Sequence, residues 1–404
     1  MLLRAFTALV VFAAVLVACS FSQSTGNKAL NDQGADSVIV TGADQTGAYL
    51  PLLTGKSVGV VANQTSIIGS AHLVDSLLSL GIKVKRVFGP EHGFRGNAEA
   101  GASVGNSVDQ RTGLPIISLY GSHKKPAPAD LAGIDIMIFD IQDVGVRCYT
   151  YISTLTYVME SCVAAKIPLL VLDRPNPNGF YIDGPVLEPE QASFVGLHPV
   201  PLVYGLTIGE YATMVNGEGW LGENIKCDLT VIRLKNYKHS SRYALPVKPS
   251  PNLPDMASVY LYSSLCFFEG TVISVGRGTI MPFRVFGHPD LPDEGFRFKP
   301  LPVKGVSDHP PSEGKTCFGK DLTEDANTIS NNGYIELSWL IDCYDSLKNK
   351  EPFFNDFFSK LAGTTELRKQ IEAGNTPEQI RKSWKQGLNK YQLIRKKYLL
   401  YPDF

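Results

Sequence analysis

In the decapeptide Val87-Phe88-Gly89-Pro90-Glu91-His92-Gly93-Phe94-Arg95-Gly96, a carboxylate, an imidazole and a guanidinium follow directly on an apolar run. Glu91 offers a group that can give or take a proton, and His92 a neighbour able to orient it or a substrate. The preceding run, Lys83 to Phe88, is β-branched and aromatic and predicts a strand that ends at Phe88. Gly89, Gly93 and Gly96 permit backbone angles that side chains forbid, and Pro90 stiffens the exit. A tight loop would therefore hold Glu91 and His92 at the strand's carboxyl end. The same residues would also suit a solvated turn in which Glu91 and Arg95 pair.

The elements that would position this loop follow from periodicity. Strand-like runs at Ser57 to Ala62, Lys83 to Phe88, Ile116 to Tyr120, Ile134 to Ile141, Pro168 to Leu172 and Leu229 to Leu234 include several that are apolar throughout, as strands buried on both faces must be. Helical spacing marks Ala71 to Leu80, Tyr151 to Lys166 and Ile208 to Gly217 between them. This alternation predicts an α/β fold with a Rossmann-like, doubly wound, mostly parallel sheet over residues 46–242. The prolines 246, 249, 251 and 254 mark the crossing into a second, smaller α+β region over 243–404. There a helix is expected from Met256 to Phe267, and further helices from Ile335 to Tyr398, the last bearing Arg381, Lys382, Lys385, Lys390, Arg395, Lys396 and Lys397 on a solvated face.

Polar groups stand at five predicted strand ends: Asn63-Gln64-Thr65, Glu91-His92, Tyr120-Gly121-Ser122-His123, Asp140 with Gln142 and Asp143, and Asp173-Arg174-Pro175-Asn176. A parallel sheet collects such ends along one edge, where open α/β sheets bind ligands. Asp140 and Asp143 could act on a sugar hydroxyl, orient water or ligate a hard cation, or else serve as a buried ion pair and a helix cap. Arg147, Tyr149, Thr150 and Tyr151 read as a ligand-facing helix start, with rings suited to a sugar's apolar face or simply to packing. In the second region Glu269 and Arg277 either face the cleft or pair to hold two loops together, and both can hold at once.

The amino terminus narrows the setting. Met1-Leu2-Leu3-Arg4 is a short basic start, and the apolar stretch to Ala18 is too short to span a bilayer but suits a secretory signal. Leu16-Val17-Ala18-Cys19 resembles a lipobox, which implies a signal peptide over 1–18, lipidation at Cys19 and a polar tether over 19–45. The expected location is the periplasmic face of a bacterial membrane, reached through the lipid anchor alone. Six further cysteines are widely spaced without a C-x-x-C pair, so neither a zinc cluster nor a redox pair is suggested and buried thiols are expected. A net charge of −1 gives no reason to invoke nucleic acid.

In order along the chain, Asn63-Gln64-Thr65, the Gly89 to Gly96 loop, Phe139 to Tyr151, Asp173 to Gly179, Ser250 to Pro254, Phe268 to Thr271 and Gly276 to Thr279 resemble the bacterial exo-β-N-acetylmuramidases of the NamZ type. The resemblance implies a Rossmann-like domain and a smaller auxiliary domain with the active site between them. It also implies an exo-acting glycosidase that takes β-linked N-acetylmuramic acid from the non-reducing end of peptidoglycan fragments, with no cofactor and no metal. Glu91 falls on the family's acidic loop and becomes the leading catalytic residue, beside His92; Asp140, Asp143 and Glu269 match family motifs without an assigned role. Asn63, Gln64, Arg147, Tyr149, Tyr151, Asp173, Arg174, Asn176, Glu269 and Arg277 are the expected substrate contacts. Muramyl saccharides are the expected partners. Arg147, Arg174 or Arg277 would meet the lactyl carboxylate. The rival readings are a metal-dependent hydrolase built on His92, His123, Asp140 and Asp143, and a glycan-binding lipoprotein without turnover.

Overall fold

A computed structural model describes residues 38–96 and 107–404. The signal peptide and Cys19 lie outside the described residues, as does most of the tether. The end of the expected tether is part of the fold. Val40 pairs with Lys235 in an isolated bridge, Ala43 is buried, and Gly42 sits so close to the chain at Leu172 and Asp173 that a Cβ would lie 2.5 Å from the Asp173 nitrogen. The polar composition of this stretch hid a docking that depends on backbone contacts.

The main sheet contains β1 (Ser57–Ala62), β2 (Lys83–Gly89), β3 (Ser107–Val108), β4 (Pro115–Ser118), β5 (Ile136–Asp140), β6 (Leu169–Leu172) and β7 (Leu229–Ile232). Their order across the sheet is β7-β6-β5-β1-β2-β4-β3, and every pairing is parallel except that of the edge strand β3 with β4. Without that edge strand the order is that of a dinucleotide-binding sheet, which reverses direction between β1 and β5. All residues of β1, β5 and β6 are buried. On one face Val58, Val60 and Ala62 of β1 join a core with Leu73, Val74 and Leu77 of helix α2 (Leu73–Ser79), behind α1 (Thr46–Leu53). On the other, Val61 joins the larger core with Ile152 and Leu155 of α3 (Tyr151–Ala165) and Ile208 and Tyr211 of α4 (Ile208–Gly217). Gly59 leaves room for the Met137 and Ile134 side chains, which a Cβ there would push aside.

The second region begins with α5 (Met256–Leu265), capped by Asp255, whose carboxylate accepts from Ser258 N–H at 2.9 Å. A 3-10 turn, Cys266–Gly270, continues it, and Val285–His288, Arg297–Phe298 and Cys317–Asp321 form a small antiparallel sheet. The terminal helix Pro377–Arg395 returns to the first region. Arg381 bonds Asp183 at 2.9 Å, Tyr391 donates to the Tyr204 carbonyl at 2.7 Å, and the buried Arg395 holds the Gly205 carbonyl and both oxygens of Asp403. The expected solvated basic face therefore loses Arg381 and Arg395 to interior contacts, while Lys382, Lys385, Lys390, Lys396 and Lys397 remain exposed. The six cysteines of the described residues are all buried free thiols.

Candidate active site

The turn after β2 determines where its acid points. Gly93 donates to the Pro90 carbonyl at 2.9 Å, closing a turn centred on Glu91 and His92, and His92 adopts φ +70° although buried. That left-handed angle is uncommon outside glycine, and histidine is among the few side chains that adopt it readily. Glu91 is thereby aimed into a cleft of ≈ 570 Å³ between the carboxyl edge of the sheet and the second region. Thr150 Oγ1 donates to Glu91 Oε2 at 2.9 Å. Tyr120, beyond β4, lines the cleft with Glu91; burial, and then the Glu91 charge, hold its phenol far above the usual tyrosine range, so it stays protonated. Tyr151 hydroxyl contacts the Glu91 carbonyl at 3.4 Å and takes a hydrogen bond from Asn63 Nδ2 at 2.8 Å, which ties the end of β1 to the loop.

Across the cleft Arg277 donates to Glu269 Oε1 at 2.6 Å and lies 5.0 Å from the Phe283 ring centroid. Both alternatives read from the sequence hold here: the pair joins two loops and also lines the cleft. Tyr149, whose hydroxyl donates to the Pro249 carbonyl at 2.7 Å, packs edge-on to Tyr262 and forms an aromatic wall with it. Among the described residues, Glu91 and Glu269 are the two carboxylates that line the cleft, one from each region.

Several expected site residues are instead interior supports. Asp140 has no exposed surface and receives Arg174 Nε at 2.6 Å and Nη2 at 2.8 Å. Arg147, also fully buried, donates to the carbonyls of Pro185, Val200, Leu361 and Ala362 at 2.8–3.0 Å. The last two belong to the carboxyl end of the helix Phe357–Ala362, where a cation meets the negative pole of the helix dipole. Asp173 accepts from Thr207, Gly209 and Tyr401, and burial pushes its carboxyl up to about 6. Asn176 bridges Leu206 and Asn178, and Gln64 donates to the Pro249 carbonyl. None of these six residues is among those lining the cleft, and the five that are buried, all but the half-buried Gln64, spend their polar groups on contacts within the chain rather than facing a ligand. At a strand end, a buried support and a ligand contact have the same residue types.

Asp143 belongs with the supports and carries a pH signature. The Tyr204 hydroxyl and the Gly145 N–H, the latter at 2.7 Å, both bond its Oδ2, while burial lifts its carboxyl from 3.8 to about 7. Because the folded pKa is the higher one, the native state keeps a proton that the unfolded chain releases. This contribution is complete below about pH 4 and is lost as the pH rises through about 7. Between pH 5 and pH 8, wild type is expected to lose on the order of 2–3 kcal/mol more stability than Asp143→Asn. Urea midpoints at the two pH values check this, and equal slopes would refute it.

The metal-hydrolase rival needs His92, His123, Asp140 and Asp143 together. Asp140 is taken by Arg174, Asp143 by Tyr204, and His123 pairs with Asp130 at 2.9 Å. Among the described residues, the group with metal-ligand spacing is His288, Asp290 and Glu351, none of which lines the cleft. The loop after β1, glycine-rich where such sheets bind a dinucleotide, reads Asn63-Gln64-Thr65-Ser66. Its N–H groups turn onto the loop itself: Thr65 to Asn63 Oδ1 at 2.9 Å, Ser66 to the Asn63 carbonyl at 3.1 Å and Asn63 to Ser66 Oγ at 3.0 Å. They are not available to cradle a pyrophosphate.

The sequence reading did not anticipate Lys124, Ser193, Phe194, Tyr262 and Ser307 as lining residues. Phe194 lies in a segment without regular structure or a dense polar motif, so only its place in space marks it.

A Rossmann-ordered sheet without a phosphate loop, and a tyrosine-walled cleft with a carboxylate from each side, are features of a carbohydrate-cleaving enzyme. The chain belongs to the exo-β-N-acetylmuramidase NamZ family: the family's N-terminal model matches residues 58–257 and its C-terminal model residues 260–401. The peptidoglycan β-N-acetylmuramidase NamZ of Bacillus subtilis is 40% identical over 373 residues, covering 87% of this chain and 89% of that protein. Two crystal structures of DUF1343 family proteins from Bacteroides fragilis are similar. One has TM-score 0.84 and 44% identity over 91% of this chain and 100% of its own, the other TM-score 0.75 and 27% identity over 90% and 99%.

Proposed function

We propose that this chain is an exo-acting glycosidase that releases β-linked N-acetylmuramic acid from the non-reducing end of peptidoglycan fragments, with Glu91 as general acid. The observation that carries the reading is the Glu91 carboxyl, held by the Thr150 hydroxyl in the cleft of a chain whose residues 58–257 and 260–401 match the two muramidase family models. Glycoside cleavage needs an acid to protonate the departing oxygen and a group to stabilise the oxocarbenium-like centre. Glu91 supplies the first. The substrate's own acetamide, or Glu269 held by Arg277, supplies the second, and the Tyr149 and Tyr262 wall offers rings for the sugar's apolar face. The lipobox-like end at Cys19 supports export and lipid anchoring, which would bring the enzyme to peptidoglycan outside the cytoplasm.

The test is release of N-acetylmuramic acid from a chromogenic β-muramide in excess EDTA. Turnover undiminished by the chelator is expected. Loss of turnover on chelation would favour the metal-hydrolase reading, and sugar binding without turnover would favour a glycan-binding lipoprotein.

A further inference from the structure

The arginines that the sequence offered for a substrate carboxylate are all committed: Arg147 to four backbone carbonyls, Arg174 to Asp140 and Arg277 to Glu269. A different cation lines the cleft. Of three consecutive basic residues, His123 pairs with Asp130 at 2.9 Å and Lys125 with Glu160 at 2.7 Å, while the half-buried Lys124 between them turns into the cleft and makes no ion pair among the described residues. Its ammonium sits 4.6 Å from the Phe194 ring centroid. Phe194 is itself braced, stacked on Tyr157 at 5.9 Å and 15° and tilted against Tyr120 at 6.3 Å. Tyr120 lines the cleft together with Glu91, so the lysine's platform and the acid face the same space.

We infer that Lys124 is the residue that recognises the carboxylate of the substrate, the lactyl carboxylate of the muramic unit, and so selects muramic acid over a plain N-acetylglucosamine in the cleft. An ammonium seated on an aromatic face keeps its charge, and the N–H donors that point away from the ring, for an incoming anion, and the ring shields the contact from water. A substrate without the carboxylate would leave the lysine's donors without an anionic partner. The inference rests on the muramidase reading.

The test pairs two donors of one shape, a 4-nitrophenyl β-muramide and its neutral lactyl amide, with wild type, Lys124→Met and Lys124→Arg. Wild type is expected to favour the acid by about 10- to 100-fold in kcat/KM, the range of a charge-assisted hydrogen bond. Lys124→Met should lose that factor on the acid, with a loss on the amide at least tenfold smaller, and Lys124→Arg should retain most of the preference. Equal losses on both donors, or no loss on either, would overturn the inference. So would a defect confined to a peptide-bearing donor, because the peptide's carboxylates would then be what Lys124 reads. If wild type cleaved neither donor, the muramidase reading itself would fall, an outcome distinct from selective failure of the lysine variant.

Discussion

Glu91→Gln is expected to lower kcat for release of N-acetylmuramic acid from a natural disaccharide by about 10³-fold, within the range of positioned general acids, with KM little changed. The amide fills the same space and its oxygen can still accept from Thr150, so the fold and the loop should survive. What it removes is the proton for the departing sugar oxygen. A 4-nitrophenyl muramide, whose leaving group needs little protonation, should therefore suffer a much smaller loss. The ratio of the two losses separates roles that a single assay confuses. Equal large losses on both substrates would make Glu91 a nucleophile or electrostatic stabiliser, and activity within tenfold of wild type on the disaccharide would remove it from the chemistry altogether.

Arg174→Met is expected to destabilise the fold by about 3–5 kcal/mol, the usual cost of leaving one member of a buried ion pair alone. Asp140 lies at the end of β5 beside the strand reversal, without exposed surface, and Arg174 satisfies both of its oxygens. Burial already pushes the Asp140 carboxyl upward, with Arg174 working against the shift. Without the arginine the carboxyl would rise further and stay protonated over a wider range. The variant's deficit should therefore be smaller at pH 5 than at pH 8, since protonation removes the unpaired charge. The double variant Asp140→Leu/Arg174→Met should recover most of the loss, because it leaves no lone charge behind. Chemical denaturation of the three variants at both pH values checks the order, and a double variant no more stable than Arg174→Met would refute the ion-pair account.

These two residues show how far a sequence can be read. Glu91 and Arg174 both follow apolar strands, both are polar and both sit among prolines and glycines. Strand and helix periodicity was enough to place their strands in one parallel sheet, because a strand buried on both faces has to be apolar along its length and the alternation with helices leaves few topologies. Periodicity also put Glu91 at the binding edge. It could not show which side chains at that edge face the cleft and which turn inward, because that depends on χ angles and on partners far away in the chain. Arg147 reaches the carboxyl end of a helix more than two hundred residues later, and Asp173 meets Tyr401 near the far terminus.

The sequence by itself determined the α/β class, the six central strands, the acid on the loop after β2 and, through its separated motifs, the family. Those features are local, written in periodicity, glycine placement and short motifs. Only the tertiary structure decided that Asp140, Asp143, Arg147, Asp173 and Arg174 hold the fold rather than the substrate, that residues 38–45 dock against the chain near Asp173, and that Lys124 and Phe194 stand in the cleft. The physical reason is that a polar residue's role depends on whether its partner is another part of the chain or a ligand. That choice is made by contacts between distant segments, which come together only when the chain is folded.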